Sequence, residues 1–251
     1  MINPLDLSNK TILVTGASDG IGKATAILLS QLGAKVIMVA RNEEKLQTVF
    51  EMLEGEGHRW YSYNLKEING IEALIKKLVS ENGAFDGFVH CAGVSSLRPL
   101  KMTSYDFLHN MMLINFYSFI EIVRCISKKG NHQPKMSIVG MSSVASIKGE
   151  KSQIAYCATK AAMDGAIRAM AKELSAKKIR VNSIVAGFIN TGMLESFKEK
   201  TGSKENDSRF DRYCLGIGEP LDVANAIAFL LSDSSSIITG TGLVVDSGAT
   251  T

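Results

Sequence analysis

Tyr156 and Lys160 stand four residues apart in the run Ala155-Tyr156-Cys157-Ala158-Thr159-Lys160. On a helix, positions i and i+4 share one face, so a phenol and an ammonium can point into the same cleft. A phenol at its ordinary pKa of ~10 is a poor proton donor-acceptor near neutrality, and a neighbouring cation favours the phenolate. Lys160 is such a cation, and the pair has the makings of an acid–base unit. A bare pattern of this kind is equally at home on the outer face of an amphipathic helix.

A second group lies near the start of the chain, in Thr15-Gly16-Ala17-Ser18-Asp19-Gly20-Ile21-Gly22. Gly16, Gly20 and Gly22 let the backbone turn tightly, and the amides around Ser18, Asp19 and Ile21 can then meet phosphate oxygens at a positive helix end. The motif needs a strand before it and a helix after it. It has both: the β-branched run 11–15 precedes it, and residues 21–32 carry apolar side chains at helical spacing. This context predicts a dinucleotide-binding turn. About 20 residues further on, an acid would bind the ribose 2′-hydroxyl of NAD, whereas an arginine suits the 2′-phosphate of NADP. The chain has Ala40-Arg41 there. Arg41 favours NADP(H) over NAD(H) through guanidinium–phosphate geometry, unless it is a solvated loop charge. Asp19, inside the turn, is placed to repel the same phosphate.

The elements that must position these groups alternate. Strands are predicted at 11–15, 35–40, 59–63, 87–91, 135–141, 180–185 and 242–245. Helices are predicted at 21–32, from an N-cap at Asn42 onward, and at 67–81, 104–128, 154–177 and 221–231. Repeated β-then-α units need right-handed crossovers and build a parallel sheet covered on both faces. The fold class expected is therefore α/β, a single-domain, Rossmann-type, doubly wound parallel sheet with helices on both faces, spanning 1–251. The charged stretch 195–212 interrupts the alternation and is too long for a routine connection; with its flanks it is expected to form a substrate lid at about 188–213.

Composition narrows the function classes. The 251 residues are 45% hydrophobic and 21% charged, with 22 glycines and 4 prolines, which excludes collagen-like and disordered chains. A net charge of +3 with scattered lysines and arginines gives no case for nucleic acid. No apolar run approaches the ~20 residues of a membrane span. The cysteines (Cys91, Cys125, Cys157, Cys214) are 34, 32 and 57 residues apart and the four histidines are isolated, so neither a disulfide framework nor a metal site is expected. The first ten residues lack the order of a secretory signal, and a cytoplasmic protein is expected.

Taken together, the glycine turn, Tyr156 and Lys160 resemble the short-chain dehydrogenase/reductase family over essentially the whole chain. The resemblance implies further assignments. Ser143, thirteen residues before Tyr156, matches the family's catalytic serine, and Asn115 matches its structural and proton-relay asparagine. Asn64 and Leu65 would flank the adenine, Ala92 and Gly93 would follow the fourth strand, and Gly187, Ile189 and Thr191 would wrap the nicotinamide. His90-Cys91 replaces two asparagines of the family pattern, Asn64 replaces an acid, and Ala186 replaces a proline. The implied reaction moves a hydride between nicotinamide and a carbonyl or secondary alcohol. In it, Tyr156 exchanges the proton, Ser143 polarises the carbonyl, Lys160 lowers the Tyr156 pKa and holds the ribose, and Asn115 seats a relay water. A 3-oxoacyl thioester is one substrate, with Lys128, Lys129, Lys177 and Lys178 available to an acyl-carrier protein; otherwise those lysines complement helix ends. Sugar, polyol and steroid-like alcohols are alternatives. An epimerase or dehydratase with a separate substrate domain would need a longer chain, and a non-catalytic nucleotide sensor would have no need to keep Ser143, Tyr156 and Lys160. The two long helices carry more apolar residues than one sheet-facing stripe needs (Met111, Met112, Phe116, Phe119, Ile120; Met163, Ile167, Met170), and the resemblance implies that such helices pack against symmetry mates, so a homotetramer or homodimer is expected.

Overall fold

The computed structural model describes residues 3–203 and 207–251. Seven strands form one parallel sheet: β1 (Thr11–Thr15), β2 (Lys35–Ala40), β3 (Arg59–Ser62), β4 (Phe85–His90), β5 (His132–Ser143), β6 (Arg180–Ala186) and β7 (Gly242–Val245), in the order β3-β2-β1-β4-β5-β6-β7. The strands alternate apolar side chains between two cores, as the two-residue period of a strand requires. Ile12, Val14, Val36, Met38, Val89 and Val139 face one core. Leu13, Ile37, Val39, Phe88 and Ile138 face the other. Helices α1 (Gly20–Gln31) and α8 (Pro220–Leu231) pack together over the first core, while α3 (Ile71–Asn82), α5 (Ser118–Ile126) and α6 (Ile154–Leu174) cover the second. The short α2 (Glu43–Phe50) begins at Asn42, whose side chain accepts from the Lys45 amide at 2.8 Å. Among the described residues no helix is long and apolar enough to cross a membrane.

Three departures from the sequence reading have physical causes. The helix expected over 104–128 is α4 (Tyr105–Met112), a π turn (Leu113–Tyr117) and then α5; the widened turn accommodates the fully buried Asn115. The polar interruption at 195–212 contains a helix, α7 (Gly192–Thr201), closed by Gly202 in the left-handed region; its residues 204–206 lie outside the described ones. Of the apolar residues assigned to subunit contacts, Met111, Phe119, Met163 and Ile167 are core residues instead, because those helices are sandwiched between the sheet and each other.

Strand order reverses between β1 and β4, and in such sheets the crevice outside the carboxyl ends at the reversal is where ligands bind. His90 ties these strands together from below: its Nδ1 lies 2.9 Å from Thr15 Oγ1, and its ring contacts Phe88 and Phe119. Burial, with the positive charge of Lys160 nearby, pushes the imidazole down to about 3. Below pH ~6.5 the unfolded chain therefore binds a proton that the folded chain refuses, and stability falls with pH down to about 3 by up to ~1.4 kcal/mol per unit. Denaturant unfolding at pH 6 and pH 5 checks this. The wild type should lose about 1 kcal/mol more than His90→Asn across that interval; equal losses would refute the neutral buried imidazole.

Candidate functional site

The β1–α1 turn is a backbone-to-backbone contact. Gly16 has φ +70°, and a Cβ on it would lie 2.6 Å from the Ala92 amide nitrogen. A Cβ on Gly22 would lie 2.1 Å from the Gly16 carbonyl oxygen. Only glycines let the turn approach the end of β4 this closely. Asp19 caps α1 by accepting from the Gly20 amide at 2.8 Å, and the Lys23 amide donates to its carbonyl. The Ile21 and Gly22 amides in that first turn have no intrahelical acceptor. A groove of about 710 Å³ starts here. It takes in Gly16, Ser18, Asp19, Gly20, Ile21 and Gly22, passes Arg41 after β2 and Asn64 and Leu65 after β3, and returns past Ala92, Gly93 and Thr191. Twelve of the expected cofactor residues thus line one continuous groove. An adenine-bearing dinucleotide fits its plan: a tight turn that only glycines at 16 and 22 allow, a helix N-terminus, and Arg41 and Lys45 at the far end.

Gly187 and Ile189 line an adjoining cavity of about 150 Å³ together with Ser143, Tyr156 and Lys160. Each reactive group arrives on the end of an element. Ser143 closes β5, and its hydroxyl caps a following 3-10 turn by accepting from the Ala145 amide at 3.2 Å. Tyr156 lies in the first turn of α6 and Lys160 in the next. The buried Lys160 Nζ donates to the Met141 carbonyl at 2.6 Å and sits 5.6 Å from the Tyr156 ring centre. Asn115 stands behind them: Oδ1 accepts from the Val94 amide at 2.8 Å, and Nδ2 donates to the Val94 carbonyl and Thr159 Oγ1.

Electrostatics differs from the expectation for Tyr156. Burial pushes its phenol up to about 12, against the opposing hydrogen bond from Ser143. The same desolvation pulls Lys160 down to about 8, opposed by the negative charge of Asp164. At neutral pH the cleft therefore holds a neutral phenol beside an ammonium.

Several functional candidates were not evident from the sequence. Asp164, one turn beyond Lys160, accepts from Ser142 Oγ and Ser183 Oγ, each at 2.9 Å, and so fastens α6 to β5 and β6. Its i+4 spacing from Lys160 was the available signal. Lys45 faces Asp19 across the groove at 2.5 Å. Arg212 pairs with Glu150 at the cavity edge, and Phe197, Phe210 and Tyr213 surround Phe188 there with ring centres 5.1–5.5 Å away. These pairs join distant segments and carry no local pattern. Lys128 bonds Glu72 and Lys177 bonds the Ser127 carbonyl, so two of the four lysines offered to a carrier protein have partners within the chain. Among the described residues one trio of metal-ligand type, Glu72, Glu121 and Cys125, lies outside the cleft, with Glu72 already bonded to Lys76, Arg124 and Lys128.

A parallel nucleotide-type sheet with serine, tyrosine and lysine gathered beside its crevice defines a Rossmann-type oxidoreductase. A family model described as Enoyl-(Acyl carrier protein) reductase matches residues 16–250. The 3-oxoacyl-(acyl-carrier-protein) reductase FabG of Thermotoga maritima is 36% identical over 248 residues, covering 96% of this chain and 98% of that protein. L-xylulose reductase of Caenorhabditis elegans is 33% identical over 97% of this chain and 96% of its own length. The solved structure of a short-chain type dehydrogenase/reductase from Mycobacterium ulcerans matches with a TM-score of 0.89 at 31% identity, covering 97% of this chain and 90% of that one. The chain belongs to the short-chain dehydrogenase/reductase family, oxidoreductases that act on carbonyl and alcohol groups.

Asp164 supports the charge on Lys160, so Asp164→Asn should move the Lys160 ammonium titration, followed by the NMR shift of its 13Cε, to lower pH. A midpoint that stays in place or rises would remove that support.

Proposed function

We propose that the protein is an NADP(H)-dependent reductase of carbonyl groups, and that its substrate is a 3-oxoacyl thioester. The observation that carries this reading is the convergence of Ser143, Tyr156 and Lys160 on one cavity that opens into the glycine-lined groove. A nicotinamide dinucleotide bound along the groove supplies the hydride. The chain's own groups handle orientation and the proton. Tyr156, kept protonated by burial, is in the state needed to give its Oη proton to an oxygen that becomes an alkoxide. Ser143 Oγ donates a hydrogen bond to the same oxygen, stabilising the charge that develops there. Lys160 offers its remaining ammonium hydrogens to ribose hydroxyls and lowers the cost of the phenolate that Tyr156 leaves behind. Asn115, with Nδ2 spent on Val94 and Thr159, works as a positioning residue that holds the turn beneath Lys160.

Substrate class follows from the walls. Phe188, Leu194, Phe197 and Tyr213 give the cavity an apolar side. A second groove, of about 210 Å³, runs on from Gly93 past Ser95, Ser96, Leu97 and Lys200, which suits an extended thioester arm. Similarity to the FabG reductase of Thermotoga maritima supports the acyl reading, and Lys129 and Lys178 then remain to meet an acidic carrier protein. The described residues of the segment 188–213, Phe188, Leu194, Phe197 and Tyr213 among them, act as the lid over this cavity. A second reading, reduction of a sugar or polyol, is favoured by Glu150, Gln153 and Arg212 on the polar side and by likeness to L-xylulose reductase. Leu100, Met102 and Tyr105 are exposed next to α4 and supply an apolar surface for a homodimer or homotetramer. All four cysteines are free, as suits the reducing cytoplasm.

A spectrophotometric panel of NADPH and NADH against 3-oxoacyl thioesters, ketoses and polyols tests the reading. NADPH-dependent reduction of the thioester should dominate, and Tyr156→Phe should lower turnover about 100- to 10,000-fold with coenzyme binding preserved. Near-normal turnover by that variant would overturn the proton role, and dominant ketose or polyol turnover would replace the thioester.

A further inference from the structure

Asp19 and Lys45 close the outer end of the groove beside Arg41. Asp19 is held in place by its cap on Gly20, and its second oxygen accepts from Lys45 Nζ at 2.5 Å. The Lys45 backbone is fixed in the first turn of α2, where its amide donates to the capping Asn42 side chain. Both side chains are more than half exposed, so a ligand in the groove can reach them. An ammonium has three hydrogens, and Asp19 takes one of the three from Lys45. Arg41 makes no ion pair among the described residues. Left alone, the Asp19 carboxylate would repel a phosphate ester carrying about 1.5 to 2 negative charges and would accept from a ribose hydroxyl instead. Paired, its charge is neutralised, and the cation that neutralises it still has donors to spare.

We propose that Lys45 determines coenzyme specificity: it cancels Asp19 and gives its free hydrogens, alongside Arg41, to a 2′-phosphate on the adenosine ribose. The proposal rests on the NADP(H) reading above and adds the residue that resolves its internal conflict, a carboxylate inside a phosphate-binding turn. Removing Lys45 uncovers Asp19 and turns the same turn towards a 2′-hydroxyl. No step of bond making or breaking is involved; the effect is on binding alone.

The experiment measures dissociation constants of NADPH and NADH, by quenching of protein fluorescence or calorimetry, for the wild type, Lys45→Met, Asp19→Asn and the double variant. Loss of a charge-assisted contact should weaken NADPH binding to Lys45→Met about 10- to 100-fold and leave NADH within about threefold. Asp19→Asn should bind NADPH at least as well as the wild type. The double variant should recover part of what Lys45→Met loses, since no bare carboxylate remains. Equal weakening of both coenzymes by Lys45→Met, or an unchanged ratio in a wild type that prefers NADPH, would overturn the proposal and spare the NADP(H) reading. A wild type that binds NADH more tightly would overturn both.

Discussion

One buried positive charge organises the cleft. Lys160 is 4% exposed, and an ammonium taken out of water is costly unless its hydrogens find acceptors. The Met141 carbonyl, at the end of β5, provides one, and the Asp164 carboxylate supplies an opposing charge from the next turn of α6. The neighbours adjust to the same charge. His90, behind it, stays neutral because burial and this charge both disfavour the imidazolium, whereas burial pushes the Cys91 thiol up to about 12 against the lowering pull of Lys160. Gly93 borders the same charge: a Cβ there would make ordinary contact with Asn115 Oδ1 at 3.5 Å and with Nζ at 3.6 Å. Side chains that look like unrelated features along the chain answer to one ammonium at the end of a parallel sheet.

The sheet makes this arrangement affordable because its strand order reverses between β1 and β4. The reversal leaves the carboxyl ends of both strands uncovered, and the Gly16–Ala92 contact brings the two loops together without filling the gap. The groove and the cavity meet beside that contact, sharing Ile21, Cys91, Gly93 and Thr191 in their walls. Tyr156 and Ser143 meet because α6 leaves the sheet shortly after β5 and packs back against it, with Asp164 fastened to Ser142 and Ser183.

Much of this was legible in the chain because it is written locally. Short, continuous β-branched runs marked the strands, and i, i+4 spacing placed the phenol and the ammonium on one face. Glycines between a strand and a helix marked the turn. What escaped was decided by tertiary packing. The π turn around Asn115 exists because its amide reaches Val94 and Thr159, neither of them a sequence neighbour. Met111 and Phe119 were assigned to subunit contacts from the sequence, but both are buried within the chain, Phe119 in the core beneath the sheet. Asp19 looked like a repulsive charge because its partner, Lys45, belongs to another helix. A charged composition hid α7, whose apolar Leu194 is nonetheless buried.

The proposed function turns on a hydride passing directly from coenzyme to a substrate carbon in the cleft built around Lys160. Mass spectrometry of the alcohol formed from a 3-oxoacyl thioester, with coenzyme dideuterated at nicotinamide C4, tests it most directly. Direct transfer places one deuterium at the carbinol carbon with the wild type, and Lys160→Met should form no detectable alcohol. Unlabelled alcohol from the wild type, or labelled alcohol formed by Lys160→Met at the wild-type rate, would contradict it.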